Sequence, residues 1–140
     1  MSHVSHIQLM IFDLAAIRRA CSRMGLEFVE NQKTYAWYGT LVEPDKYPLP
    51  EGITTEQLGH CDHAIKIPGA RYEIGVLKHN GSYMLVCDFW DSSLKRAIGE
   101  NGGLLKQAYG VEVIKEAARK KRFSYSEKQV NSGIEITITL

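Results

Sequence analysis

The 140-residue chain is short of three things: charge imbalance, paired cysteines and long apolar runs. Seventeen Lys+Arg stand against sixteen Asp+Glu, a net charge of +1, so the basic excess of a dedicated nucleic-acid binder is absent. Three cysteines, Cys21, Cys61 and Cys87, form an odd set without CxxC spacing, which reads as a reducing compartment. No apolar run approaches the roughly 18–20 residues of a membrane span, and Met1 to Ile11 has neither the basic start nor the apolar middle of a signal peptide. A soluble cytoplasmic protein is expected. There is no GxxxxGKS/T loop and no GxGxxG opening a helix, and the GENGG segment at 99–103 has neither the spacing nor the lysine to cradle phosphate, which argues against ATP hydrolysis.

What is present is a chain with 44% hydrophobic residues, enough for one domain with a core and too short for two ordinary ones. Residues 1–140 are therefore expected to form a single domain. Its centre is Tyr72 to Asp91, two β-rich runs around His79-Asn80-Gly81-Ser82; Asn-Gly is a strong hairpin signal because both residues tolerate positive φ. In the second run Tyr83, Leu85, Cys87 and Phe89 share one face, and Met84, Val86, Asp88 and Trp90 the other. Two largely apolar faces place that strand inside a sheet.

Around this hairpin, Ser2 to Phe12 reads as a strand, and Asp13 caps a helix with the stripe Leu14, Ile17, Cys21 and Met24, ended by Gly25. Leu26 to Glu30 alternates as a strand, and Lys33 to Tyr38 looks like its hairpin partner or continuation. Residues 39–60 carry Pro44, Pro48, Pro50 and Gly52, which disfavour helix and central strand, so an exposed Pro-rich insertion is expected there. Its end could form a short helix capped by Thr54 or Thr55, before a strand at His63 to Ile67. Asp91-Ser92-Ser93 caps a turn of helix over Leu94 to Ile98. A longer helix over Leu104 to Arg122 presents Leu104, Leu105, Ala108, Val111, Ile114, Ala117 and Ala118 as its core stripe. Phe123 to Val130 and Ile134 to Leu140 close the chain as a hairpin; the last strand, if at an edge, would pair with a second copy in a homodimer. The expected fold is α+β: a single antiparallel or mixed sheet of about six or seven strands with two main helices on one face.

The opening MSHVSHIQLMIFDLAAIRRA, the central Tyr72-Glu73-Ile74-Gly75 with Asp88-Phe89-Trp90, and the segment Tyr109 to Phe123 together resemble one family. This is the hypothetical chloroplast reading-frame family thirty-five, a domain of unknown function shared by plastids, cyanobacteria and other bacteria. None of the three is a catalytic motif. The Pro-rich stretch and Arg122, where the family usually has glycine, depart from its pattern. The resemblance implies an accessory or adaptor role beside a AAA-type ATPase, with a stromal location if the chain is plastid-encoded. It also directs attention to Tyr72, Asp88, Trp90 and Tyr109 as binding residues.

Among chemistry-bearing residues, His60-Cys61-Asp62-His63 is the densest set of potential transition-metal ligands. Neighbouring side chains diverge, so His60 with Asp62, or Cys61 with His63, would need help from His6, His79 or Cys87. His3 completes an amine–copper chelate only if Met1 is retained. A polar loop end entering a strand is the stronger reading, and no cofactor is expected. Cys61 or Cys87 as a nucleophile beside a histidine is outweighed by an inert buried thiol. Tyr35 and Trp37, with Tyr38 and Lys33, and Trp90 near Lys95 and Arg96, could form a docking or stacking patch; more simply, Tyr35 and Trp37 share a strand face and cover a helix. The leading functional expectation is a non-catalytic adaptor that binds a protein partner through the sheet edge or the Pro-rich insertion. A small-molecule binder with a pocket between sheet and insertion is the alternative, and a metal-dependent enzyme using His60 to His63 comes third.

Overall fold

The computed structural model describes residues 4–40 and 48–140, apart from the side chains of His6 and Gln8. The fold is α+β. Among the described residues, seven strands and three α-helices follow in the order β1 (Val4–Ile11), α1 (Leu14–Arg23), β2 (Glu27–Val29), β3 (His63–Lys66), β4 (Ile74–His79), β5 (Ser82–Asp88), α2 (Ser92–Ile98), α3 (Gly103–Lys120), β6 (Ser124–Val130) and β7 (Gly133–Thr139). The strands do not join in one sheet: β1-β5-β4-β3-β2 form a five-stranded antiparallel sheet, and β6-β7 a separate hairpin. The division follows composition. SYSEKQV in β6 has too few apolar side chains to bury a sheet face, whereas IGVLKH and SYMLVCD in β4 and β5 have enough for two.

The β4–β5 hairpin turns at Asn80-Gly81, with φ of 49° and 81°, the paired positive values of a tight two-residue hairpin turn. Alternation along β5 then sorts its side chains. Leu85 and Cys87 join Ile7, Ile11, Ile65, Ile74 and Val76 beneath the helices, with Ile17 and Ala20 of α1, Leu94 and Ile98 of α2, and Leu105 of α3. Val86 goes to the opposite face, with Val4, Ala64 and Leu77.

That opposite face corrects two expectations. Lys33 to Tyr38 is not a strand; its one ladder contact is an isolated bridge from Thr34 to His60. Tyr35 and Trp37 do cover an apolar surface, but it is the sheet and not a helix. The Tyr35 ring lies over Gly75, where an added Cβ would overlap it, so glycine in β4 is what lets the ring lie flat on the strand. The described part of the Pro-rich stretch is mostly exposed, as expected, but anchors on the sheet through Ile53 and Leu58, buried beside Tyr35, with a 3-10 turn at Thr55–Gln57 following Thr54. Residues 41–47, including Pro44, lie outside the described residues.

Asp13 caps α1 by accepting from the Ala16 N–H at 3.1 Å, and Gly25 at φ 72° ends it, with Leu26 N–H donating to the Cys21 carbonyl. The stripe on α3 differs from the expected one. Leu105, Ala108, Tyr109, Val111, Glu112 and Ala118 are buried, while Leu104 and Ile114 are half-exposed. The inward face runs through Glu112 because Arg19 and Arg23 of α1 and Lys115 of α3 surround its carboxylate at 3.3–3.7 Å. Charge compensation there takes the place of apolar contact.

Candidate functional site

Two features of β1 make it unlike the other strands. It forms one margin of the five-stranded sheet, paired only with β5 on its inner side among the described residues. Its sequence, VSHIQLMI, holds no Asp, Glu, Lys, Arg or Pro across eight residues. Margins are normally blunted by charge, proline or brevity, because their unpaired N–H and C=O groups template further pairing. The other margin, β2, is blunted in this way: three residues, with Glu27 exposed and Glu30 just beyond it in an ion pair with Arg18. Exposed Met10 and Phe12 stand at the end of β1.

The second feature is a bulge. Register runs evenly from Val4↔Asp88 to Ile7↔Leu85 and then passes to Ile11↔Tyr83, so β1 carries two more residues than β5 over this interval. An even insertion preserves facing, which is why Ile7 and Ile11 both point into the helix-side core. Beside the bulge lies a cleft of about 540 Å3 lined by Ile7, Leu9 and Met10 of β1, by His79, Asn80, Ser82, Tyr83 and Met84 of the β4–β5 hairpin, and by Glu51. Next to Glu51, Gly52 lies close to the His79 ring, where an added Cβ would come within 3.2 Å of the imidazole. The volume falls in the range of ligand and side-chain pockets.

The residues singled out from sequence do not gather at this cleft. Asp88 is fully buried, its two carboxylate oxygens accepting from the N–H groups of Tyr38 at 3.2 Å and Trp90 at 3.0 Å. Asp91 accepts from Arg71, Tyr72 and Ser93 N–H at 2.6–3.0 Å. Burial opposes its charge, but these backbone donors together outweigh burial and hold its carboxyl below the usual range. Tyr72 is buried and Trp90 half-exposed beside a hollow of about 280 Å3, whose carboxylate is already committed to backbone. Tyr109 is also structural: its hydroxyl accepts from Phe12 and Asp13 N–H at 3.2 and 3.4 Å, fastening α3 to the corner between β1 and α1.

The His60 to His63 set disperses along the strand entry. His60 is exposed; Cys61 Sγ donates to the Gln32 carbonyl at 3.2 Å; Asp62 accepts from Lys78 N–H at 2.7 Å. His63 faces the other side, buried between Phe28 and Tyr83, with Nδ1 accepting from Asn31 N–H at 2.9 Å. Among the described residues no three His, Cys, Asp or Glu side chains converge on one point. His3 lies outside the described residues, as does the side chain of His6. Burial pushes the Cys61 thiol up to about 11 and Cys21 up to about 12, and raises Cys87 as well. At such values the nucleophilic thiolate is scarce at neutral pH. Burial also pushes the Tyr35 phenol up to about 12.

Sequence reasoning missed the bulge, which leaves no trace in periodicity when the insertion is even. It also missed the Glu112 cluster. There the signal existed: Arg19 and Arg23 stand four apart on α1, and Glu112 and Glu116 four apart on α3. Glu127 of β6 joins them through a two-point pairing with Arg23. No protein-family model, curated protein or solved structure matches the chain.

Proposed function

We propose that this protein is a non-catalytic adaptor that receives an extended segment of a protein partner along the outer margin of β1. The observation that carries the reading is the contrast between the two margins: one long and uncharged, the other short and acidic. Strand addition at such a margin draws affinity from main-chain hydrogen bonds and specificity from pockets beside the strand. The resemblance to a family associated with a AAA-type ATPase makes that ATPase the first partner to try. The cleft supports a second reading, a small-molecule binder, because Glu51 brings the Pro-rich stretch against the sheet there.

A photo-crosslinking phenylalanine derivative at Phe12, compared with one at Glu27 of β2, tests the adaptor reading in cells. Capture of a defined protein at position 12 and none at 27 is expected, and Met10→Lys should weaken it by placing charge at the margin. Equal capture at both positions, or capture indifferent to Met10→Lys, would overturn the reading.

A further inference from the structure

We infer that the cleft beside the bulge is a pocket for one anchor side chain of the docked segment, and that this anchor has an apolar stem and a cationic head, as in arginine or lysine. The inference rests on the margin-docking reading and adds the chemistry of the partner. Three observations support it. Leu9 and Met10 line the cleft and belong to the strand on which the segment would lie, so the pocket is within reach of a side chain from the added strand. Its lining includes apolar Ile7, Leu9, Met10, Tyr83 and Met84, two of them thioethers, a surface that accepts methylene stems of varied shape. Among the described lining residues Glu51 is the one carboxylate and there is no Lys or Arg, so the charge in the cleft favours a positive group. An anionic anchor would meet Glu51 with His79 as the one basic side chain among the described lining residues. β1 itself contributes no charge, so the selection for sign comes from Glu51.

Two-dimensional NMR of the full chain, labelled at backbone nitrogen and at methionine methyls, reads both parts at once. The probes are three acetylated, amidated pentapeptides, Thr-Val-Xaa-Val-Thr, with arginine, alanine or glutamate at the centre, at low ionic strength. The arginine peptide is expected to shift the β1 amides together with the Met10 and Met84 methyls while leaving Met24, at the C-terminal end of α1, unmoved. It should bind about two- to fivefold more tightly than the glutamate peptide, the range of an exposed ion pair. Glu51→Gln, a change in an exposed loop residue, should remove that preference without altering the β1 shifts. If all three peptides shift the β1 amides equally and the Met10 and Met84 methyls stay still, the anchor inference is wrong and margin docking stands. If no peptide moves the β1 amides, the docking reading fails and the inference falls with it.

Discussion

Two helix-to-strand junctions, α1 into β2 and α3 into β6, end in the same way and lead to different places. At the first, Gly25 takes φ 72° and Leu26 N–H reaches back to the Cys21 carbonyl; at the second, Arg122 takes φ 58° and Phe123 N–H reaches back to the Ala118 carbonyl. The backbone device is one and the same. After it, Phe28 packs against the helix-side core and β2 joins the sheet, whereas β6 forms a hairpin held to the body by Glu127 contacting Arg23 and Lys115. Local capping therefore sets where a strand begins. What the strand offers to bury decides where it goes.

The largest effect should come from the apolar side of this contrast. Ile17→Ala, at a fully buried α1 position, is expected to lower unfolding free energy by about 2–5 kcal/mol in a denaturant titration. A loss within 0.5 kcal/mol would mean that α1 is not packed as described.

The junctions themselves predict opposite signs. Gly25→Ala meets no side-chain obstacle, so its cost should be the left-handed backbone alone, about 1–2 kcal/mol. Arg122→Gly relieves the same conformation and should raise stability by about 0.5–1 kcal/mol, visible as a higher Tm. Two changes of the same sign would show that the junctions are not equivalent.

The smallest effect belongs to the hairpin. Hydrogen bonding to Arg23 is the largest influence on the Glu127 carboxyl; it outweighs the opposing cost of burial and, with the weaker fields of Arg23 and Lys115, holds the group below its usual range. Its folded pKa is depressed, so the stabilisation is present above the unfolded value and fades as pH falls through the folded one. For a solvent-screened group this amounts to less than about 1 kcal/mol. Hydrogen exchange should show β6–β7 amides losing protection on acidification or in high salt while β4–β5 amides hold. Glu127→Gln should remove that pH dependence.

The legible parts of the fold were those written in local chemistry. Asp13 and Gly25 framed α1 nearly to the residue, Asn80-Gly81 marked the central turn, and alternation in β5 assigned both of its faces. Less legible were choices made between distant elements. Tyr35 and Trp37 could cover either a helix or a sheet, and only Gly75, some forty residues on, provides the flat place that decides it. Ile114 has the right spacing for the core of α3, yet the inward turn of the helix belongs to Glu112 because α1 supplies the cations. The candidate site was least visible of all. Neither a strand's place at a margin nor an even bulge is a property of the strand's own residues.

The Tyr109 hydroxyl bonds to Phe12 and Asp13 across 97 and 96 residues of sequence, and β1 pairs with a strand some eighty residues later. During synthesis the N-terminal strand therefore has no native partner until β5 has been made, and its corner is not fastened until α3 follows. For that interval both of its sides, not one, are open to other chains. The sheet margin that carries no Asp, Glu, Lys, Arg or Pro is thus also the strand that waits longest to be paired, so slow synthesis or loss of Tyr109 should be felt first as misassociation through β1.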